Sequence, residues 1–151
     1  MILGHIGVRK GSKGVPGKNF RQICGKPLID WSLDQLFAEP RIDAVVVSTD
    51  DPEMYAHAVK RGALDIGLRP AELATDSAPK WNVWQHALEA SEAKVGAVST
   101  FVDLDCTSPL RIPEDITGAL DLFQSDHPDM VMSVCDANKN PYFNLVEPDE
   151  T

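Results

Sequence analysis

The sequence predicts an α/β fold: a parallel or mixed sheet covered on both faces by helices. Three observations carry that expectation. Short apolar runs alternate with amphipathic stretches along most of the chain. The run AVVVST at 44–49 is β-branched and continuous, as a strand buried on both faces requires. The amphipathic stretches carry the start and stop residues of helices rather than of hairpins.

The elements follow in order. Residues 2 to 8 are an apolar first strand, followed by a Gly-rich loop. In KPLIDWSLDQLF, Leu28, Ile29, Leu33, Leu36 and Phe37 fit one helical face, with Pro27 in the first turn. The second strand is 44–49. In DDPEMYAHAVKRG, Asp50 or Asp51 caps, Pro52 lies just inside the start, and Gly62 ends the helix. LDIGLRPAELATDSAP has no period and reads as a loop with one short strand. KWNVWQHALEASEA reads as a helix with Val83, Trp84, Ala87 and Leu88 inward. AVSTFVDL is a third core strand, PEDITGALDLFQSD a helix with acids at its positive end, DMVMSVCD a fourth strand and PYFNLVEPD a fifth. No repeat or linker divides the chain, so residues 1–151 are expected to form one domain. In such sheets ligands bind beyond the carboxyl ends of the strands, which points to loops 9–19, 50–51 and 103–111.

Charge narrows the function. The net charge is -9, yet the first 29 residues hold six Lys or Arg and no Asp or Glu. The remaining 122 hold 8 basic and 23 acidic residues, a balance of -15. Such a surface repels a nucleic acid, while one local positive cradle still admits a small anion such as a nucleotide or sugar phosphate. No apolar run is long enough to span a bilayer. The start, MILGHIGV, lacks the basic region and cleavage site of a signal peptide. Three scattered cysteines form no C-x-x-C pair, which suits a reducing cytoplasm.

The cradle is VRKGSKGVPGKN, residues 8–19. It is neither a Walker A motif nor the G-x-G-x-x-G dinucleotide fingerprint. Gly11, Gly14 and Gly17 let backbone N–H groups approach a ligand closely, and Arg9, Lys13 and Lys18 can neutralise phosphate oxygens. The competing reading is a solvated basic loop with turn glycines. His5 reads as a packed histidine of the first strand. His57 and His86 read as boundary or solvent-facing, and Trp31, Trp81 and Trp84 as core or interface rather than base-stacking platforms.

The loop resembles the signature of the acylneuraminate cytidylyltransferases, R-x-x-S-K-G-[hydrophobic]-P-x-K-N. Arg9, Ser12, Lys13, Gly14, Val15, Pro16, Lys18 and Asn19 fit it. GKPLIDWSLDQ, VVVSTDD, LRPAELATDSA, TSPLR and NPYFNLVE resemble later segments of the family in the expected order. Relatives acting on the eight-carbon sugar Kdo lack R-P-x-x-L-[AS]-x-D, which favours the nine-carbon branch.

The resemblance implies a Rossmann-like nucleotidyltransferase fold. It also implies transfer of CMP from CTP to the anomeric hydroxyl of a nonulosonic acid, with Mg²⁺, in a homodimer. By resemblance Arg9, Lys13 and Lys18 are catalytic. Ser12, Gly14, Asn19 and Arg69 join them in holding the nucleotide, and Asp105, Thr107, Ser108 and Arg111 face the sugar. Two departures stand out. Asp105-Cys106 replaces the usual Gln-Pro, so Asp105 is open to three roles: Mg²⁺ ligand, mark of a different acceptor, or structural acid. Lys80 stands where a small hydroxyl residue is usual. Family members also run longer, so a non-catalytic nucleotide-binding fragment of a longer protein is the alternative reading.

Overall fold

The computed structural model describes residues 1–11 and 14–135. They fall into two compact units, one covering Met1–Pro113 and the other starting at Glu114.

The first unit is built on a three-stranded parallel sheet. Strand β1 is Ile2–Gly7, β4 is Ala44–Ser48 and β5 is Thr100–Asp103, in the order β4-β1-β5. A separate antiparallel hairpin, β2 (Gln22–Ile23) with β3 (Lys26–Pro27), lies between β1 and the first helix. Helix α1 is Leu28–Ala38, α2 is Pro52–Lys60 and α3 is Lys80–Val95. Strand β1 is central because it pairs on both edges: Leu3 to Gly7 against Ala44 to Ser48, and Ile2 to His5 against Thr100 to Asp103. The chain leaves β1 to one side for β4, then crosses to the other side for β5. That reversal opens a crevice beyond the carboxyl ends of β1 and β5.

Period-2 alternation assigns the two faces. Gly4 faces α1: a Cβ there would lie 3.0 Å from Leu36 Cδ2. Leu3, His5 and Gly7 share the other face with Phe101 and Asp103, and there α3 brings Trp84 edge-on to Phe101 at 6.5 Å. Helices therefore cover both faces, as expected. The core comprises Leu3, Ile6, Ile29, Leu33, Leu36 and Val45 to Val47.

Several local expectations are corrected. Pro27 sits at the N-cap of α1, already paired with Gln22 in the hairpin. Phe37 is 42% exposed, and the buried face of α1 runs instead through Leu28, Ile29, Ser32, Leu33 and Leu36. In α3 the buried residues are Val83, Ala87 and Ser91, while Trp84 and Leu88 are half-buried. Ser91 enters the core because its hydroxyl donates to the Ala87 carbonyl at 2.7 Å. Trp81 is 63% exposed. Strand β5 is half-buried along its length, because β1 is its only partner among the described residues. Asp51 caps α2 by accepting from Glu53 N–H, and Gly62 follows with φ of 104°.

In the second unit, helix α4 is Pro113–Asp126, with Glu114 and Asp115 in its first turn. The expected strand at DMVMSVCD does not form over 129–135. Met130, Met132 and Val134 are exposed, and no ladder among the described residues supplies the neighbour a strand needs. The expected fifth strand, PYFNLVEPD, lies outside the described residues. Among the described residues no helix is long and apolar enough to cross a membrane.

Candidate functional site

A cavity of about 600 Å³ lies beyond the ends of β1 and β5. Three chain segments build it. The loop after β1 contributes Val8, Arg9, Gly14, Val15, Lys18 and Asn19. The aperiodic stretch before α3 contributes Arg69, Leu73, Thr75, Asp76 and Ala78, and α3 adds Lys80, Val83 and Trp84. The segment after β5 contributes Asp105, Cys106 and Thr107, and His5 and Gly7 of β1 lie at the base.

The loop is fixed at both ends. Val8 N–H donates to the Ser48 carbonyl at 3.0 Å, and Lys10 N–H to Asp50 Oδ1 at 2.9 Å. Gly17, at φ 63°, turns the chain into a single 3₁₀ turn, Lys18–Phe20. That left-handed conformation favours glycine. It sets Lys18 on the cavity and Asn19 beneath it. Buried Asn19 donates to the Arg9 carbonyl at 3.4 Å and accepts from the Cys106 thiol at 3.3 Å. Its amide thus ties the loop to the segment after β5. Burial pushes the Cys106 thiol up, so it stays protonated. Arg9 is ion-paired with Asp76 across the cavity mouth. Ser12 and Lys13 lie outside the described residues.

Arg69 is far from this loop in sequence, yet it shares the cavity with Arg9, Gly14 and Lys18. Its N–H donates to the Thr49 carbonyl at 2.8 Å. Its guanidinium donates to Ser48 Oγ at 2.9 Å and to the Ser48 carbonyl at 2.5 Å. Only 8% exposed, it is a buried cation anchored by neutral acceptors. Burial lowers its pKa, but a guanidinium remains charged.

The sugar-side residues divide. Asp105 and Thr107 line the cavity, whereas Ser108 and Arg111 are not among the lining residues. Arg111 donates to Gln35 Oε1 at 2.7 Å and to the Asp105 carbonyl at 3.3 Å, bracing the loop against α1. Asp105 is paired in the structure: Lys80 Nζ lies 3.1 Å from it. The same ammonium is 2.7 Å from Asp103 Oδ2. Burial opposes the charge on Lys80, yet the two carboxylates hold its pKa above the ordinary range. Among the described residues no group of three His, Cys, Asp or Glu could hold a metal ion.

Loop 50–51 turns out to serve the scaffold: Asp50 holds the Lys10 amide and Asp51 caps α2. Sequence reading missed the charged base of the cavity. His5 is buried as expected, but it hydrogen-bonds Asp103 at 2.6 Å and lines the cavity. The available signal was an acid inside the apolar run AVSTFVDL and a histidine inside the first strand, and the strand pairing sets the two opposite each other.

The chain is similar to proteins of named activity. It is 38% identical over 147 residues to post-translational flagellin modification protein B of Campylobacter coli. It is equally identical, over the same length, to CMP-N,N'-diacetyllegionaminic acid synthase of Campylobacter jejuni. Each match covers 97% of this chain, which spans 63% of each relative's length. The fold resembles that of CMP:2-keto-3-deoxy-manno-octonic acid synthetase complexed with CTP. There the TM-score is 0.63 at 23% identity, over 83% of this chain and 48% of that one. Residues 6–143, and with them the whole loop and every lining residue of the cavity except His5, match the family model described as cytidylyltransferase, and the chain belongs to that family.

Proposed function

We propose that this chain transfers CMP from CTP to the anomeric hydroxyl of a nonulosonic acid of the sialic, legionaminic or pseudaminic type, releasing pyrophosphate. One observation carries the reading. A Gly-rich cationic loop, a buried arginine and a threonine-bearing segment converge on one cavity in a chain whose remaining surface is acidic. The relatives' names supply the chemistry: one is a CMP-legionaminic acid synthase.

The sugar hydroxyl oxygen attacks the α-phosphorus. The bond to the bridging oxygen breaks, pyrophosphate leaves with that electron pair, and the hydroxyl proton is released. Such a step gains mostly from positioning and from fixed positive charge around the phosphoryl oxygens. Arg9 and Lys18 fill that role, with Lys13 by resemblance, while Arg69 donates to the base. Arg9 must leave Asp76 to do so, and triphosphate is the stronger partner because it carries more charge. Thr107 is the sugar-side hydroxyl, and the repulsion between Asp105 and an acidic sugar is reduced by Lys80, whose ammonium Asp105 shares with Asp103.

Mg²⁺ belongs to the same proposal, carried by the triphosphate and water rather than by a protein cage, as is common for this ion. A cytoplasmic homodimer is likewise proposed, with three unpaired cysteines supporting the reducing compartment. The described residues show no sugar pocket beyond Asp105 and Thr107. With the chain spanning 63% of its relatives, the second reading is a domain that binds CTP without turning it over.

Pyrophosphate release decides between them. With CTP, release is expected with one of N-acetylneuraminic, legionaminic or pseudaminic acid. Release only with the eight-carbon acid Kdo would move the acceptor to that branch. CTP binding with no release from any acceptor would establish the second reading.

A further inference from the structure

His5 is 0% exposed, and its ring packs against Phe101 at 5.0 Å. Asp103 is acceptor-only, so the 2.6 Å contact places the imidazole proton on Nδ1. Lys80 Nζ, 2.7 Å from the other oxygen of Asp103, keeps that carboxylate ionised and oriented. The consequence falls on the opposite nitrogen: Nε2 is a bare acceptor, buried, with no hydrogen-bond partner among the described residues. A buried polar atom without a partner costs stability and calls for a ligand.

The space beside Nε2 is left by a glycine. A Cβ at Gly7 would lie 3.2 Å from His5 Cε1, 3.9 Å from Nε2 and 3.6 Å from Arg69 Nη2. One gap is therefore flanked by a fixed acceptor, His5 Nε2, and a fixed donor, the Arg69 guanidinium. His5, Gly7 and Arg69 all line the cavity.

We propose that His5, positioned by Asp103 and Lys80, is a specificity-determining residue that accepts a hydrogen bond from the exocyclic amine of the nucleobase and so selects cytosine over uracil. This rests on the cavity's being the nucleotide site. The edge of cytosine presents an amine donor beside a ring-nitrogen acceptor, matching His5 and Arg69 in turn. Uracil presents the reverse, a carbonyl acceptor beside a ring N–H, and sets lone pair against lone pair at Nε2. The groups facing the imidazole are Asp103 from β5, Lys80 from α3 and Arg69 from the preceding loop. Burial, the nearby cations and the histidine's own low basicity keep it neutral, preserving the acceptor.

The test is the ratio of CTP to UTP affinity by titration calorimetry. The unmodified protein should bind CTP at least about tenfold more tightly than UTP, the worth of one hydrogen bond gained against one buried mismatch. In His5→Phe, which keeps a ring against Phe101, the ratio should collapse toward one through loss of CTP affinity, with UTP little changed. A second measurement needs no substitution. The ¹⁵N resonance of His5 Nε2, unprotonated in the free protein, should move on adding CTP and not on adding UTP. An unchanged ratio in His5→Phe, or equal responses of Nε2 to the two nucleotides, overturns the assignment and leaves the nucleotide site standing. Binding of neither nucleotide overturns both.

Discussion

Arg69 shows how much one side chain can be asked to do. Its Nε and one Nη2 proton reach Ser48, which leaves the second Nη2 proton and Nη1 as donors toward the cavity. A lysine offers one compact ammonium and no fork. Arg69→Lys should cost about 1–3 kcal/mol in denaturant unfolding, because a buried carbonyl or hydroxyl loses its donor, and CTP affinity should fall as well. Unchanged stability would mean that Ser48 is satisfied by water. Lys18 is the contrasting case, a loop residue outside the core. Lys18→Ala should leave the melting temperature nearly unmoved, weaken CTP binding and flatten its salt dependence, since one screened charge contact is lost. Equal affinity in parent and variant would remove Lys18 from the site.

The His5–Asp103 pair also sets a pH dependence. Burial lowers the His5 pKa below its ordinary 6.5, so the folded protein resists a proton that the unfolded chain accepts. Stability should be fully present above about pH 6.5 and decline as pH falls below it. Burial alone would raise Asp103, but hydrogen bonds from His5 and Lys80 hold it below its ordinary 3.8, so a further loss should follow below that pH. In His5→Phe the upper part of the decline should vanish. Melting curves from pH 8 to 3 for parent and variant would show it.

At the scale of elements, the loop-to-helix turn at Gly17 is the hinge of the site. Its φ of 63° would strain any residue with a Cβ, although among the described residues no atom lies within 4 Å of where that Cβ would sit. Gly17→Ala should therefore cost about 1 kcal/mol through backbone strain alone. It should also reduce CTP affinity by shifting Lys18. Thermal unfolding with and without CTP separates the two effects. Elements with strong local signals were legible: the capped start of α2 at Asp51 and Pro52, and the continuous β-branched run of β4. Elements defined by a neighbour were not. Residues 129–135 have a strand's composition, yet among the described residues no ladder receives them. Phe37 has the spacing of α1's apolar face, but the core lies on the turn through Ser32 and Leu36, leaving Phe37 at its margin.

For the whole molecule, the prediction concerns ligand choice. The cavity pairs a cationic loop with a donor–acceptor floor inside an otherwise acidic protein. CTP should raise the melting temperature more than ATP or GTP at equal concentration, because only a ligand favouring the folded state stabilises it. Equal shifts for all nucleotides would reduce the site to a general phosphate cradle.

The sequence by itself determined the α/β class, the positive loop after the first strand and the place of Arg69 beside that loop. These depend on local period, local charge and a motif whose spacing is fixed along the chain. Only the tertiary structure decided what forms the base of the cavity. His5, Lys80 and Asp103 stand at three distant places in the chain; His5 alone reads as a packed histidine, and Lys80 alone as a departure from the family pattern. Parallel pairing of β1 with β5 sets His5 opposite Asp103, and α3 crossing that face delivers Lys80. Strand register and helix placement come from burying the apolar residues around them, so the pairing of these three side chains is fixed by packing that no single segment encodes.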